Sequence, residues 1–252
     1  MISIHKIITV GIYEMRTLLR SWFFKIFAGL SVLVIGIFNI AANLTDSGAP
    51  FIYRALPASL PYMNLLVLNL GQAIVAVFLA SEFLKQDKKN DTVEVIYARS
   101  MTNAEYILGK TMGILLVFTI LNILVLAIGV GFSFLSGDAS LGVLEYFYYP
   151  LLISVPTLIY ILGLSFFLMI ITKNQAITFI ILLGYIAVSI FYLDKQFFQL
   201  FDFIAYQVPM MKSTVGGFAD FNETLLHRGI YFFIGLSLIF FTITKLDRLP
   251  QS

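Results

Sequence analysis

Six stretches of this chain, each 16 to 27 residues long, contain no Asp, Glu, Lys or Arg and are mostly apolar. An α-helix of about 20 such residues crosses the roughly 30 Å hydrocarbon core of a bilayer. We therefore predict six transmembrane helices, over Ile26–Thr45, Ala55–Ser81, Thr111–Gly137, Tyr146–Thr172, Asn174–Leu193 and Gly229–Thr244. The last is short, so we expect His227 and Arg228 to snorkel to one interface and Lys245 to the other.

The composition excludes a soluble domain. Hydrophobic residues make up 60% of the 252 residues and charged residues 12%, whereas a soluble domain is about half apolar and a quarter charged. The predicted fold is an all-α integral membrane protein whose single transmembrane domain spans residues 1–252 and leaves no room for a separate catalytic domain. The net charge of +2 gives no indication of nucleic-acid binding, and the lack of cysteine excludes disulfides and thiolate sites.

The distribution of Lys and Arg predicts the orientation. Twelve of these residues fall on the side of the membrane that holds the N-terminus, and four fall on the other side. Because cytoplasmic loops carry an excess of basic residues, we predict that both termini are cytoplasmic, in a bacterial inner (plasma) membrane. The turn at Lys173 and Asn174 is short enough to make the fourth and fifth spans an antiparallel hairpin.

Two segments outside the spans have patterns of their own. In residues 1–25, apolar side chains recur every three or four positions with charged residues between them, which predicts an amphipathic helix along the inner membrane surface. This helix either anchors the chain or packs against a partner. The outer segment 194–228 is rich in aromatic residues, so we expect short interfacial helices there, broken at Pro209 and at Gly216–Gly217.

The sequence offers little for catalysis, and we predict that the chain is not an enzyme and binds no cofactor or metal. Its two histidines, His5 and His227, are expected at opposite membrane faces. We expect no Asp, Glu, Lys or Arg in the middle of a span, unlike proton pumps and most ion-coupled carriers. Neutral polar residues in the spans bind either neighbouring helices or substrate; they are Asn39, Asn64, Asn69, Gln72 and Asn122.

The segment Ala104–Thr111, AEYILGKT, resembles a loose P-loop but lacks its first glycine. A P-loop follows a strand and bends its backbone N–H groups around phosphate. The residues between Ala104 and Gly109 favour a helix, and they lead directly into the third span. We therefore predict that this chain does not bind ATP.

The inner loop between the second and third spans, residues 84–107, has the features of a structured docking element. Asp91 with Glu94, and Thr102 with Glu105, have the spacing of a capping box, which starts a helix. We predict a short surface helix from about Thr92 to Arg99, followed by a second helix that enters the membrane. Glycines at two positions allow that second helix to approach a neighbour closely; they are Gly109 and Gly113.

This loop resembles that of the membrane component of type-2 ABC exporters. In that family the second span ends in an acidic residue, followed by basic residues, a Gly-Thr-x-Glu helix, a Ser-Pro-like turn and an acidic-to-Leu-Gly-Lys entry into the third span. Asp91 replaces the usual glycine, and the proline near Ser100 is missing. The matching positions are Glu82; Lys85, Lys88 and Lys89; Asp91, Thr92 and Glu94; Ser100; and Glu105, Leu108, Gly109 and Lys110.

The resemblance implies a permease subunit that pairs with a second permease subunit, the same or homologous, and recruits a separate ATPase. The loop helix would be a coupling helix that docks the ATPase through Asp91, Thr92, Glu94, Ile96, Tyr97 and Arg99. Glu82 would be a latch between span and loop, or a simple interfacial anchor, and Glu94 and Arg99 could also belong to a solvated face. The alternatives are an ATP-independent secondary transporter or channel and a non-transporting assembly protein.

Overall fold

The computed structural model describes residues 3–44, 59–89, 101–135, 143–193, 198–208, 212–213, 217–218 and 220–246. Its helices are α1 (Ile4–Arg20), α2 (Trp22–Leu44), α3 (Ser59–Lys89), α4 (Asn103–Leu135), α5 (Val143–Tyr149), α6 (Val155–Thr172), α7 (Gln175–Val188) and α8 (Phe221–Lys245). Two π-helical turns, Pro150–Ser154 and Ser189–Leu193, extend α6 and α7, and a 3-10 turn covers Phe198–Phe201. The two-residue strands β1 (Lys212–Ser213) and β2 (Gly217–Phe218) pair in antiparallel register.

The prediction of six membrane-spanning helices is confirmed. Among the described residues, six helices are long and apolar enough to cross a bilayer. These candidate spans are Trp22–Ala41, Leu60–Ala80, Asn103–Phe134, Leu144–Thr172, Gln175–Leu193 and Phe221–Lys245. The chain is therefore an all-helical, multi-pass membrane protein.

Several helices extend beyond the stretches predicted from charge-free sequence. Helix α3 continues to Lys89, and α4 begins at Asn103 rather than Thr111. Helix α8 begins at Phe221 rather than Gly229, so the last span has 25 residues and is long enough for a full crossing. At the other end of the chain, extended backbone at Ser21 separates α1 from α2, and the first span begins at Trp22.

The turn between α6 and α7 forms as predicted. Lys173 takes a left-handed conformation with φ of 51° and ends α6. The side chain of Asn174 then caps α7, accepting from the N–H groups of Ala176 at 2.9 Å and Ile177 at 3.3 Å. This cap satisfies two of the free amide groups that begin any helix. The two helices consequently form a tight hairpin.

One end of the bundle, which we call the loop end, holds the start of α2, the end of α3, the α6–α7 turn and the end of α8. Aromatic contacts establish that these helix ends lie side by side. They are Phe23 with Phe78 (4.2 Å between ring centroids), Phe78 with Phe179 (6.1 Å) and Phe167 with Phe241 (5.4 Å). Chain entry into the first span and chain exit from the sixth are therefore at the same end.

The first half of α4 crosses this loop end. Its first residue, Asn103, donates from Nδ2 to the carbonyl of Leu246 at 2.8 Å, beyond the end of α8. Further along, Phe118 meets Phe24 and Phe27 near the start of α2, at 6.0 and 6.3 Å between ring centroids. The intervening residues, about 22 Å of helix at 1.5 Å per residue, therefore run from the end of α8 to the start of α2.

Candidate partner-docking site and buried polar cluster

The predicted ATPase-docking residues lie outside the part of the chain that the structure describes. They are Asp91, Thr92, Glu94, Ile96, Tyr97 and Arg99. Glu82 lies within α3, but its side chain is not among those described. The structure does describe both helices that flank this segment, α3 up to Lys89 and α4 from Asn103. The position of the docking segment is therefore defined by these two helices.

The second predicted capping box forms at the start of α4. Glu105 accepts from the N–H of Thr102 at 2.8 Å, and the Thr102 hydroxyl oxygen accepts from the N–H of Glu105 at 3.2 Å. Glu105 also accepts from the N–H of Ser3 at 2.7 Å, and the Lys6 ammonium lies 4.0 Å from its carboxylate. One buried carboxylate thus joins the starts of α1 and α4, where helix dipoles favour negative charge.

Helix α1 continues alongside α4 in parallel. Gly109 lies against Val10 and Gly113 against Glu14, so closely that a Cβ at either glycine would come within 2.6 Å of the opposing side chain. Gly11, on α1, faces the same stretch of α4. The two glycines predicted to allow close approach therefore lie where α4 meets α1.

Lys110 forms a buried ion pair at this contact. Its ammonium lies 3.1 Å from the carboxylate of Glu14, and side-chain exposures are 9% for Lys110 and 13% for Glu14. The residues of the P-loop-like segment, Ala104–Thr111, all belong to α4. A continuous helix directs its N–H groups along its own axis and gives no phosphate-binding turn. We call the contacts of Ser3, Glu14, Asn103, Glu105 and Lys110 the loop-end junction.

The predicted position of Arg228 is wrong. Instead of reaching the membrane interface, Arg228 is 1% exposed and lies within the last span. Its Nε donates to the Leu152 carbonyl at 2.7 Å, and its terminal nitrogens donate to the carbonyls of Ile153 at 2.8 Å and Phe203 at 2.9 Å. A further bond reaches the Thr157 hydroxyl at 2.7 Å. Arg228 is therefore a buried cation inside a span, whereas we expected it at the end of one.

The sequence of the fourth span explains why one of these carbonyls, that of Leu152, is free to accept. Pro156 has no N–H group, so the Leu152 carbonyl has no donor four residues later. The preceding turn, Pro150–Ser154, is π-helical, and the N–H of Val155 bonds to the carbonyl of Pro150. The Nε of Arg228 supplies the missing donor. An unpaired backbone group would cost several kcal/mol in a bilayer interior, so this bond stabilises the π-helical turn of the fourth span.

The outer segment contains a buried turn that directly follows the 3-10 turn Phe198–Phe201. In residues 202–208, Asp202 accepts from the N–H groups of Tyr206 at 2.8 Å and Gln207 at 2.7 Å, which closes the turn. Phe203 and Ile204 are buried, and the Ile204 carbonyl accepts from Asn69 of α3 at 2.6 Å. The turn is therefore held by α3, by Thr157 of the fourth span and by Arg228 of α8.

The neutral polar residues of the spans join helices to one another. Asn39 of α2 donates to Asn64 of α3 at 2.9 Å, and Asn69 of α3 donates to Thr157 of α6 at 3.0 Å. Asn122 of α4 accepts from Ser154 at 3.1 Å. Gln72 donates to the side-chain oxygen of Asn69 and extends the same network. Of the two interpretations that the sequence left open, these contacts favour helix-to-helix bonding.

The described part of the chain contains no cluster of three or more His, Cys, Asp or Glu side chains able to hold a metal ion. Two polar arrangements are of functional interest. One is the loop-end junction, and the other is Arg228 with the four groups that it binds, on Leu152, Ile153, Thr157 and Phe203. Comparison with family models, curated proteins and solved structures gives no match. Function is consequently inferred from the residues of this chain.

Proposed function

We propose that this chain is the membrane-spanning permease subunit of an ATP-binding cassette exporter. It pairs with a second permease subunit, the same or homologous, and moves substrate across a bacterial inner membrane with ATP hydrolysed by a separate subunit. Both termini are cytoplasmic, and the ATPase docks on the coupling helix between the second and third spans. Surrounding lipid is its other partner, and the chain itself carries no catalytic residue and no cofactor.

The observation that supports this proposal is the way in which the flanking helices are held. Helix α3 extends nine residues beyond its apolar span, from Ala80 to Lys89, which is about 13 Å of additional helix. Helix α4 begins after the predicted coupling segment and is fixed to α8 through Asn103 and to α1 through Glu105. A docking helix between two such supports would transmit the movement of a partner to three spans.

A different observation favours the secondary transporter or channel. Such proteins commonly contain irregular helices and buried ionisable residues in the membrane, and the fourth span has a π-helical turn whose Leu152 carbonyl binds the buried Arg228. The two functions differ in their dependence on a partner. An exporter of the proposed kind requires a co-purifying ATPase and ATP, whereas a secondary transporter works in their absence.

The proposal is tested by the double variant Glu94→Lys with Tyr97→Ala, expressed in the native host. If these residues belong to a partner interface, membrane levels of the chain stay near normal because exposed changes alter stability by only about 0.5 kcal/mol. Retention of the ATPase should fall by about tenfold or more, since truncating a packed interface residue costs about 1 to 4 kcal/mol of binding. Co-purification and substrate-stimulated ATP hydrolysis measure the effect.

The matched control is Lys173→Glu, a charge reversal on the exposed turn between α6 and α7 at the same end of the bundle. We expect this variant to retain the ATPase at the wild-type level. Full transport and an intact complex in the double variant would contradict the proposal, and transport without any ATPase would favour the secondary transporter.

A further inference from the structure

The charges of α1 are sorted between its two sides. Glu14 is the one acidic residue of this helix, and it faces α4, where it pairs with Lys110. Glu105, the one acidic residue in the first half of α4, is also buried. The exposed charged residues of α1 and of the first turn of α2 are therefore all basic; they are Lys6, Arg16, Arg20 and Lys25.

Apolar side chains are also exposed on α1 and at the start of α2. Ile4 and Ile8, one turn apart on α1, are 73% and 41% exposed. Trp22 at the start of α2 is 77% exposed, and the Lys25 ammonium lies 5.5 Å from its ring centroid. Arg16 and Arg20 are also one turn apart and project away from the side of α1 that contacts α4. Exposed cations and exposed apolar side chains thus occur together on α1 and at its junction with α2.

The place of α1 in the fold determines what covers this surface. It packs along the part of α4 that crosses the loop end, and α2 enters its span directly after Ser21. A helix at the boundary of a bilayer that exposes isoleucine and arginine and ends beside an exposed tryptophan is typical of binding to anionic lipids. We propose that the outer side of α1, with Arg16, Arg20 and Lys25, binds the headgroups of anionic phospholipids.

The single tryptophan of the chain, Trp22, provides a local probe of this lipid. The full chain is reconstituted in nanodiscs of neutral and anionic phospholipid, with brominated acyl chains on either the anionic or the neutral lipid at the same mole fraction. Bromine quenches tryptophan at short range. Because each basic residue near an anionic surface contributes about a fivefold preference, we expect the brominated anionic lipid to quench Trp22 about two- to fivefold more strongly.

Three comparisons make this result specific. The double variant Arg16→Gln with Arg20→Gln should lose most of the excess quenching. The double variant Arg16→Lys with Arg20→Lys should keep it, because the interaction requires positive charge and not the bidentate geometry of a guanidinium. The control Lys173→Gln removes an exposed cation from another part of the loop end and should change nothing. The excess should also shrink between about 0.05 and 0.5 M salt.

Equal quenching by the two brominated lipids would overturn the proposal and would leave an acidic protein as the partner of this surface. An excess that persists unchanged in the Arg→Gln double variant would also overturn it. The experiment uses no ATPase and no transport substrate. Its failure is therefore distinct from a failure of the proposed exporter function.

Discussion

At the scale of single residues, Arg228 and Pro156 are explained by each other. A proline in a membrane helix removes an N–H donor, and an arginine buried in a membrane needs acceptors; here the carbonyl freed by Pro156 is one of the four groups that Arg228 binds. Sequence reasoning treated the arginine as the boundary of a span because a charge normally ends one. Pro156, which removes a donor inside the fourth span, is the signal that could have indicated a buried partner for the arginine.

We predict that Arg228→Met destabilises the protein by about 2 kcal/mol. The substitution leaves the Leu152 carbonyl unpaired, at about 1 to 3 kcal/mol, and weakens the pairing of two further carbonyls, while removal of a buried charge offsets part of the loss. The control is Lys245→Met, an exposed cation at the end of the same helix, which should change stability by less than about 0.5 kcal/mol. Unfolding of the purified chain in detergent measures both, and equal stability of the two variants would contradict the assignment.

At the scale of elements, the apolar stretches predicted the number of helices, and the caps predicted where some of them begin. The Thr102–Glu105 capping box and the Lys173–Asn174 turn form as expected. The apolar pattern reports only the part of a helix that meets hydrocarbon, so it missed the extension of α3 to Lys89, and only the capping box predicted that α4 begins before Thr111. It also gave no partner for α1, because contacts between distant segments leave no local pattern.

We predict that Gly113→Ala separates α1 from α4. The new Cβ would lie 2.8 Å from the Gly11 carbonyl and 2.6 Å from the Glu14 side chain, so the backbones must move apart. Overpacking of this kind costs about 1 to 3 kcal/mol. The control Gly131→Ala lies in the same helix with no atom within 4 Å of the added carbon and should be neutral or slightly stabilising. A thermal unfolding midpoint in Gly113→Ala as high as in Gly131→Ala would show that the contact is looser than described.

At the scale of the whole molecule, topology and interior contacts are consistent with each other. Six spans return the chain to the side on which it began, and Ser3 and Leu246 both contact the first turn of α4. The count of spans followed from composition because each crossing needs an uninterrupted apolar helix. The buried turn 202–208 did not, since its aromatic residues are equally compatible with an interface and with the interior of the bundle.

The orientation of this bundle is tested by labelling single cysteines, which is free of background because the chain has none. Cysteines at Lys88 and Lys173 belong to the loop end, where we predict the excess of basic residues to lie in the cytoplasm, so a membrane-impermeant reagent should reach them only from that side. Cysteines at Asp138 and Asp220 should react only from outside. Reaction of 88 and 173 from outside would mean that the orientation is the reverse of the one predicted. A cytoplasmic ATPase would then have no access to the docking segment. Reaction of 88 and 173 from opposite sides would contradict the placement of α3 and the α6–α7 turn at one end, and with it the six-span arrangement.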